Sequence, residues 1–362
     1  MSSNRRRSTR NRKRGQLTAL VLVTVLAVVA GFLHRELREY ADEQAKNEPA
    51  ANERPPAIAA VAPGDGTGYV YDRVQDPDRT LARDARGDTV ATFTDGARTA
   101  VLRGPVRKFT EPRTTTATVA TDAWVRLMPQ PWKAEAQNEP WFRTWFAAAL
   151  ADTSPDVIAV ALEYGDGAPA RKDKAGVQVA GDAGFGPINP DGSSGNDLRL
   201  EQTDFYDYLG QTWTFPDKSK ETPDPTRHAM FDCSGFVRMV YGYRMGYPLL
   251  RTDTKGTGLP RTANGMATVG PGTTILRRTH PDQSVPVDLL LPGDLVFFEI
   301  DPRTGERLDH TGIYLGPDDA GHPRFVSSRE EANGPTFGDL GGTSRIDGSG
   351  FYGAGLRVAK RL

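Results

Sequence analysis

The chain has 362 residues, enough for about two domains, with 45 basic and 46 acidic side chains and a formal net charge of −1. That balance carries no overall nucleic-acid footprint. A single cysteine excludes any intrachain disulfide, and five scattered histidines with no close His/Cys pairs argue against a zinc site.

Residues 1–14 carry Arg5, Arg6, Arg7, Arg10, Arg12, Lys13 and Arg14 and no acid. Leu17 to Leu33 follows, uncharged and almost wholly apolar. Its length falls at the short end of the roughly 17–25 residues of a membrane helix. Positive charge ahead of such a segment keeps the N-terminus in the cytoplasm and sends the rest outward. Residues 1–14 are therefore expected to be a cytoplasmic tail and 15–34 a single-pass anchor. The competing reading is a signal peptide cleaved after Val28-Val29-Ala30 and a secreted product. The apolar run is longer than a usual signal core, which favours the anchor. Residues 35–61 are polar and then Pro-rich (Pro49, Pro55, Pro56), the composition of a linker.

Residues 62–175 form an accessory region. Thr89 to Thr94 alternates, Asp95-Gly96 is a turn signal, and Arg98 to Leu102 resumes the alternation. Thr114 to Val119 and Ala123 to Leu127 read as further strands. From Pro129 the pattern turns helical, with Trp141, Trp145 and Ala148/Ala149 on one face. Ser154-Pro155-Asp156 opens a second helix, with Ser154 as N-cap, Pro155 at the first position and Gly165 at the end. The aromatics of this region suit a sugar-stacking surface or, more simply, the core between the two helices.

Residues 176–362 hold the chemistry. Gly181 to Asp197 reads as a surface loop; Asp191 and Asp197 do not have the spacing of a calcium loop. The turn at Asp232, Ser234 and Gly235 leads into an apolar stripe of Phe236, Val237, Val240 and Tyr241. Cys233 is thus expected at a helix N-terminus, the helix running out near Gly246. There the unpaired N–H groups and the dipole lower a thiol's pKa. Arg251 to Pro286 is polar and irregular, an insertion with the look of a lid. Leu295 to Ile300, His310 to Gly316 and Arg324 to Ser328 read as an antiparallel meander, with His310 at the start of its middle strand. A thiol on a helix and a distant histidine on a strand are two of the three parts a cysteine nucleophile needs.

The order Asp232-Cys233-Ser234-Gly235-Phe236-Val237, then Pro292-Gly293-Asp294-Leu295-Val296-Phe297-Phe298, then His310-Thr311-Gly312-Ile313-Tyr314-Leu315-Gly316 resembles the NlpC family of papain-like cell-wall cysteine peptidases. The resemblance covers about residues 200–362. It implies an α+β domain in which a Cys-bearing helix packs on an antiparallel sheet, preceded here by the β-rich and helical accessory region and the membrane segment. It implies Cys233 as nucleophile, His310 as general base and Asp232 as a turn or helix-cap residue. Ser327 stands where the family usually has His, Asn or Gln to orient the base. The family also places a Tyr before the cysteine segment; here Trp213, Phe215 and Tyr208 stand nearby. The implied substrate is the peptidoglycan stem peptide, cut after a D-glutamyl residue, with no cofactor and no metal. Two other readings use the same residues: an acyl or amide transferase, and a wall-binding protein whose site has decayed.

Overall fold

A computed structural model describes residues 68–192, 198–280 and 283–362. The tail, anchor and linker expected above lie outside the described residues. Among the described residues no helix is long and apolar enough to cross a membrane.

The accessory region opens with an antiparallel meander of five strands in sequence order: β1 (Val70–Val74), β2 (Arg79–Arg83), β3 (Thr89–Thr94), β4 (Thr99–Thr110) and β5 (Thr118–Leu127). The Asp95-Gly96 turn between β3 and β4 puts Gly96 at φ +81°, a conformation that costs glycine nothing. Helix α1 (Pro140–Ala151) starts on a proline, whose missing N–H is not needed at a helix start. Its buried Phe142 and Phe146 pack with Trp132 on Phe93 of β3, the Phe93 and Trp132 rings stacked at 4.4 Å. The aromatics are thus the core of this sheet, and Trp141 and Trp145 are half-buried at its edge.

Helix α2 (Val157–Ala161) begins two residues later than the Ser-Pro signal suggested. Asp156 is its N-cap, accepting from the Ala159 N–H. The same carboxylate pairs with Arg107 at 2.6 Å and accepts from the Val125 N–H at 2.7 Å. Those partners on β4 and β5 fix the cap.

Two short hairpins follow, β6 (Arg171–Lys172) with β7 (Gln178–Ala180), and β8 (Trp213–Thr214) with β9 (Lys220–Glu221). Between them lies α3 (Phe205–Leu209), opened by a capping box of Asp204 and Asp207. Helix α4 (Cys233–Val237) continues as a π-helical segment, Arg238–Arg244, and stops at Gly246 with φ +75°. The wide turn was not legible in the sequence. It contains Gly242, whose missing Cβ leaves room for Leu249.

The stretch expected as an irregular insertion contains two regular elements. They are α5 (Ala263–Thr268) and β10 (Thr273–Arg277), and β10 is an edge strand of the main sheet. The rest of that sheet is β11 (Leu295–Phe298), β12 (His310–Pro317), β13 (Pro323–Arg329), β14 (Gly334–Thr336) and β15 (Leu356–Arg361), in the order β10-β15-β11-β12-β13-β14. A short α6 (Phe351–Gly355) leads into β15. The expected antiparallel meander is β11-β12-β13, with Phe298 opposite His310.

Helix α4 packs on this sheet as the resemblance implied. The core between them also holds Val119 and Val125 of β5 and all of α2 that is buried. At the chain end, the Thr99 hydroxyl donates to the Leu362 carbonyl at 2.7 Å, and Arg361 donates to the Thr94 hydroxyl at 2.7 Å. The accessory sheet thus keeps its own aromatic core, while Val119 and Val125 of β5 and the buried face of α2 belong to the core that contains α4.

Candidate active site

The loop ahead of α4 is held from both sides by backbone. The Phe231 N–H donates to the Gly184 carbonyl and the Asp232 N–H to the Thr203 carbonyl, both at 2.9 Å. Part of the stretch read as a surface loop is thus a wall of the site, and Phe185 lines it. Asp232 is the N-cap. Its carboxylate accepts from the Gly235 N–H at 2.7 Å and the Ser234 hydroxyl at 2.8 Å, and pairs with Arg261 at 2.8 Å. Burial opposes its charge, but Arg261 and these hydrogen bonds outweigh burial and hold the carboxyl below its usual range. The cap role expected for Asp232 is the one it has.

Cys233 is therefore the first residue of the helix, with its thiol buried at the floor of a cleft of about 770 Å³. Its Sγ lies 3.9 Å from the Asp309 carbonyl oxygen, and the Thr311 N–H also faces it. The sulfur thus sits against the backbone on both sides of His310. The lowered thiol pKa expected from the helix start does not hold in this resting site. Burial pushes the thiol well above its ordinary value, and the carboxylates of Asp232 and Glu201 push it further. The Thr311 N–H and Arg261 act the other way and do not compensate.

His310 begins β12 and is buried in the same cleft. Its ring lies between Phe298 and Tyr352, with centroids at 5.9 and 5.5 Å. Its Nε2 is 3.0 Å from the Ser327 hydroxyl on β13, which leaves Nδ1 as the nitrogen not engaged with Ser327. Burial holds the imidazole down to about 3; the cation of Arg329 adds to this and Asp232 opposes it.

Ser327 is fully buried, and its neighbour Ser328 donates to the Phe231 carbonyl at 2.8 Å, tying β13 to the cysteine loop. The structure thus brings Cys233, His310 and Ser327 together. Two other described histidines stand elsewhere: His228 lies under Gly210, His322 pairs with Asp347 at 2.9 Å, and neither lines the cleft. Tyr208 is buried against Tyr164 and Phe231 with its hydroxyl on the Gly181 carbonyl, away from the thiol. Trp213 packs on Phe205 and Tyr243.

Sequence reasoning missed three contributors. Tyr206, two residues before Tyr208, lines a second arm of the cleft that also reaches Cys233, as does Phe215. Arg261, in the supposed lid, braces the cap. Arg329 donates from Nε to the Ser327 hydroxyl at 3.0 Å. A signal for Arg329 was present: a charge two residues after Ser327 on a strand must face the same side. Among the described residues no group of three or more His, Cys, Asp or Glu side chains is placed to hold a metal ion.

Residues 210–334 match the NlpC/P60 family, whose members are in general cysteine peptidases acting on peptidoglycan. No curated protein matches the chain. Among solved structures, it is similar to a Staphylococcus aureus protein described as similar to a lipoprotein of the NLP/P60 family. The identity is 19%, over 61% of this chain and 48% of that one, with a TM-score of 0.25. The chain thus spans about half the length of that protein.

Proposed function

We propose that this NlpC/P60-domain protein is a cell-wall cysteine peptidase that cuts peptide bonds in peptidoglycan stem peptides, with Cys233 as nucleophile, His310 as base and Ser327 as the residue that orients the base. The observation that carries the reading is the meeting of a thiol and an imidazole in one cleft, with a hydroxyl behind the imidazole. Helix α4 brings the thiol and β12 the imidazole to the cleft, and β13 holds the buried hydroxyl of Ser327 against the ring, with Sγ 3.9 Å from the carbonyl of the residue before His310 and Nε2 3.0 Å from Ser327.

In the mechanism, Nε2–H donates to Ser327 and Nδ1 takes the proton of Cys233 as the sulfur attacks the peptide carbonyl. The new S–C bond forms and the carbonyl electrons move to oxygen. Backbone N–H groups at the start of α4, including that of Cys233, point to where this oxyanion develops. Collapse expels the amine, which takes the proton from His310. Water then attacks the thioester, His310 removing its proton, and a carboxylate product leaves with the free thiol restored. The scissile bond follows a D-glutamyl residue. The segment 15–34 anchors the protein by a single pass, with the peptidase domain on the outer face of the membrane.

The test is digestion of purified peptidoglycan by the full-length chain beside Cys233→Ala, with fragments read by mass spectrometry. Stem-peptide fragments from the wild type alone support the reading and identify the bond. Equal silence from both proteins would sink it and leave wall binding or acyl transfer to another nucleophile.

A further inference from the structure

Arg329 is a buried cation to which no carboxylate among the described residues is hydrogen-bonded. Its Nη1 donates to the carbonyls of Gly338, Leu340 and Gly342, its Nη2 to the Ser344 hydroxyl, and its Nε to Ser327. Its face lies over the Tyr352 ring at 4.5 Å and the Phe325 ring at 5.1 Å. A guanidinium has only donors, so the contact with Ser327 runs in one direction and occupies one lone pair of the hydroxyl. The other side of that hydroxyl meets His310 at 3.0 Å. A fixed positive charge thus stands one hydroxyl away from the imidazole. In the familiar triads the third group is an acid or amide that stabilises the imidazolium. Here the third group is neutral and the residue behind it repels a second cation.

We propose that Arg329 is a positioning residue that, through Ser327, holds His310 neutral in the resting site, so that the thiolate–imidazolium pair does not form before substrate binds. The proposal rests on Cys233 and His310 being the reacting pair. The other charged or titratable groups around His310 are Cys233 and Asp232 at the start of α4, Tyr352 on α6 and Asp309 beside it on the chain. Glu201, Asp301 and Glu330 line the same cleft. Of these, Asp232 favours the imidazolium, and Arg329 outweighs it. The thiol is consistent with this state, since its hydrogen has the Asp309 carbonyl as acceptor.

The test is the pH dependence of Cys233 alkylation by iodoacetamide in the full-length chain, where every alkylated thiol is Cys233 because there is one cysteine. The wild type should react slowly at pH 6.5. Its rate should rise about tenfold per pH unit through neutrality without a plateau. Arg329→Gln should react about tenfold or more faster at pH 6.5, since each unit gained in imidazole pKa is tenfold in ion pair. Arg329→Lys, which keeps the charge, should follow the wild type. Ser327→Asp keeps Arg329 on its loop carbonyls and places an anion between it and His310; it should also accelerate alkylation. It decides the matter if Arg329→Gln fails to fold by circular dichroism. A fast plateau at pH 6.5 in the wild type overturns the proposal, as does an unmoved profile in the folded variants. Peptidoglycan digestion is run in parallel: wild-type cleavage with an unmoved profile overturns the role of Arg329 alone. A shifted profile without cleavage supports that role and overturns the peptidase reading alone.

Discussion

Arg261 reaches from the loop before α5 to the carboxylate of Asp232, at 2.8 Å, while that carboxylate caps the helix that begins with Cys233. The same guanidinium donates to the Ser234 hydroxyl at 2.6 Å. A segment that reads as a lid is therefore a brace for the turn that carries Cys233.

Removing the cap separates its two functions. Asp232→Ala loses the bond to the Gly235 N–H and the nearer of the two carboxylates paired with Arg261, which keeps Asp204 at 3.4 Å and the Ser234 hydroxyl, a cost of about 2–3 kcal/mol. Asp232→Asn keeps a capping oxygen and loses the ion pair, and should cost about 1–2 kcal/mol. Urea unfolding of the two variants checks this. Equal losses would mean that the pairing with Arg261, and not the cap, supports the turn.

Gly235 marks a close approach of backbone to backbone. A Cβ there would stand 2.4 Å from the Thr203 carbonyl oxygen and 3.0 Å from Asp204 Cα, atoms of a chain segment that cannot rotate away. Gly235→Ala should destabilise the protein by about 2–3 kcal/mol through forced backbone shifts. It should also slow peptidoglycan cleavage, because the same segment accepts the Asp232 N–H. A stable, fully active variant would contradict this.

His310 gives the acid limb of stability a definite sign. Its folded-state pKa is held down to about 3, against about 6.5 in an unfolded chain. Between those values the unfolded chain binds the proton and the folded chain does not, so stability falls as pH drops below about 6.5. His310→Gln lacks this contribution. From pH 7 to pH 4 the wild type should lose roughly 3 kcal/mol more than the variant. Chemical unfolding at the two pH values measures the difference, and parallel losses would refute the buried neutral ring.

Shared packing predicts shared unfolding. Val125 of β5 is fully buried in the core that contains α4, and the Leu362 carbonyl is bound by Thr99. Residues 68–362 should melt in one calorimetric transition. Val125→Ala should lower it as a whole, by about 2 kcal/mol. Two resolved transitions, with only the first moved, would show the accessory sheet to be independent.

Much of this protein was legible in the order of its residues. The alternation around the Asp95-Gly96 turn, the cysteine at a helix start, the cap at Asp232 and the strand beginning at His310 are local patterns. They follow from side-chain period and turn chemistry within a few residues. Ser327 was reached from its place in the motif order, and the structure puts its hydroxyl 3.0 Å from His310. What the sequence did not carry were long-range relations. The proton affinities at the site depend on burial and on charges brought from Glu201, Asp232, Arg261 and Arg329, so a helix-start thiol expected to be acidic is held protonated. The strand at Thr273–Arg277 lacks a clean period because it pairs at the sheet edge, with a register shift against β15. Asp156 displaced the Ser-Pro helix start because Arg107 and Val125, far back in the chain, bind its carboxylate. Local chemistry set the elements and singled out Cys233 and His310 as candidates, whereas the electrostatics and the packing of β5 and α2 into the core of α4 required the fold, since both arise from groups that only folding brings together.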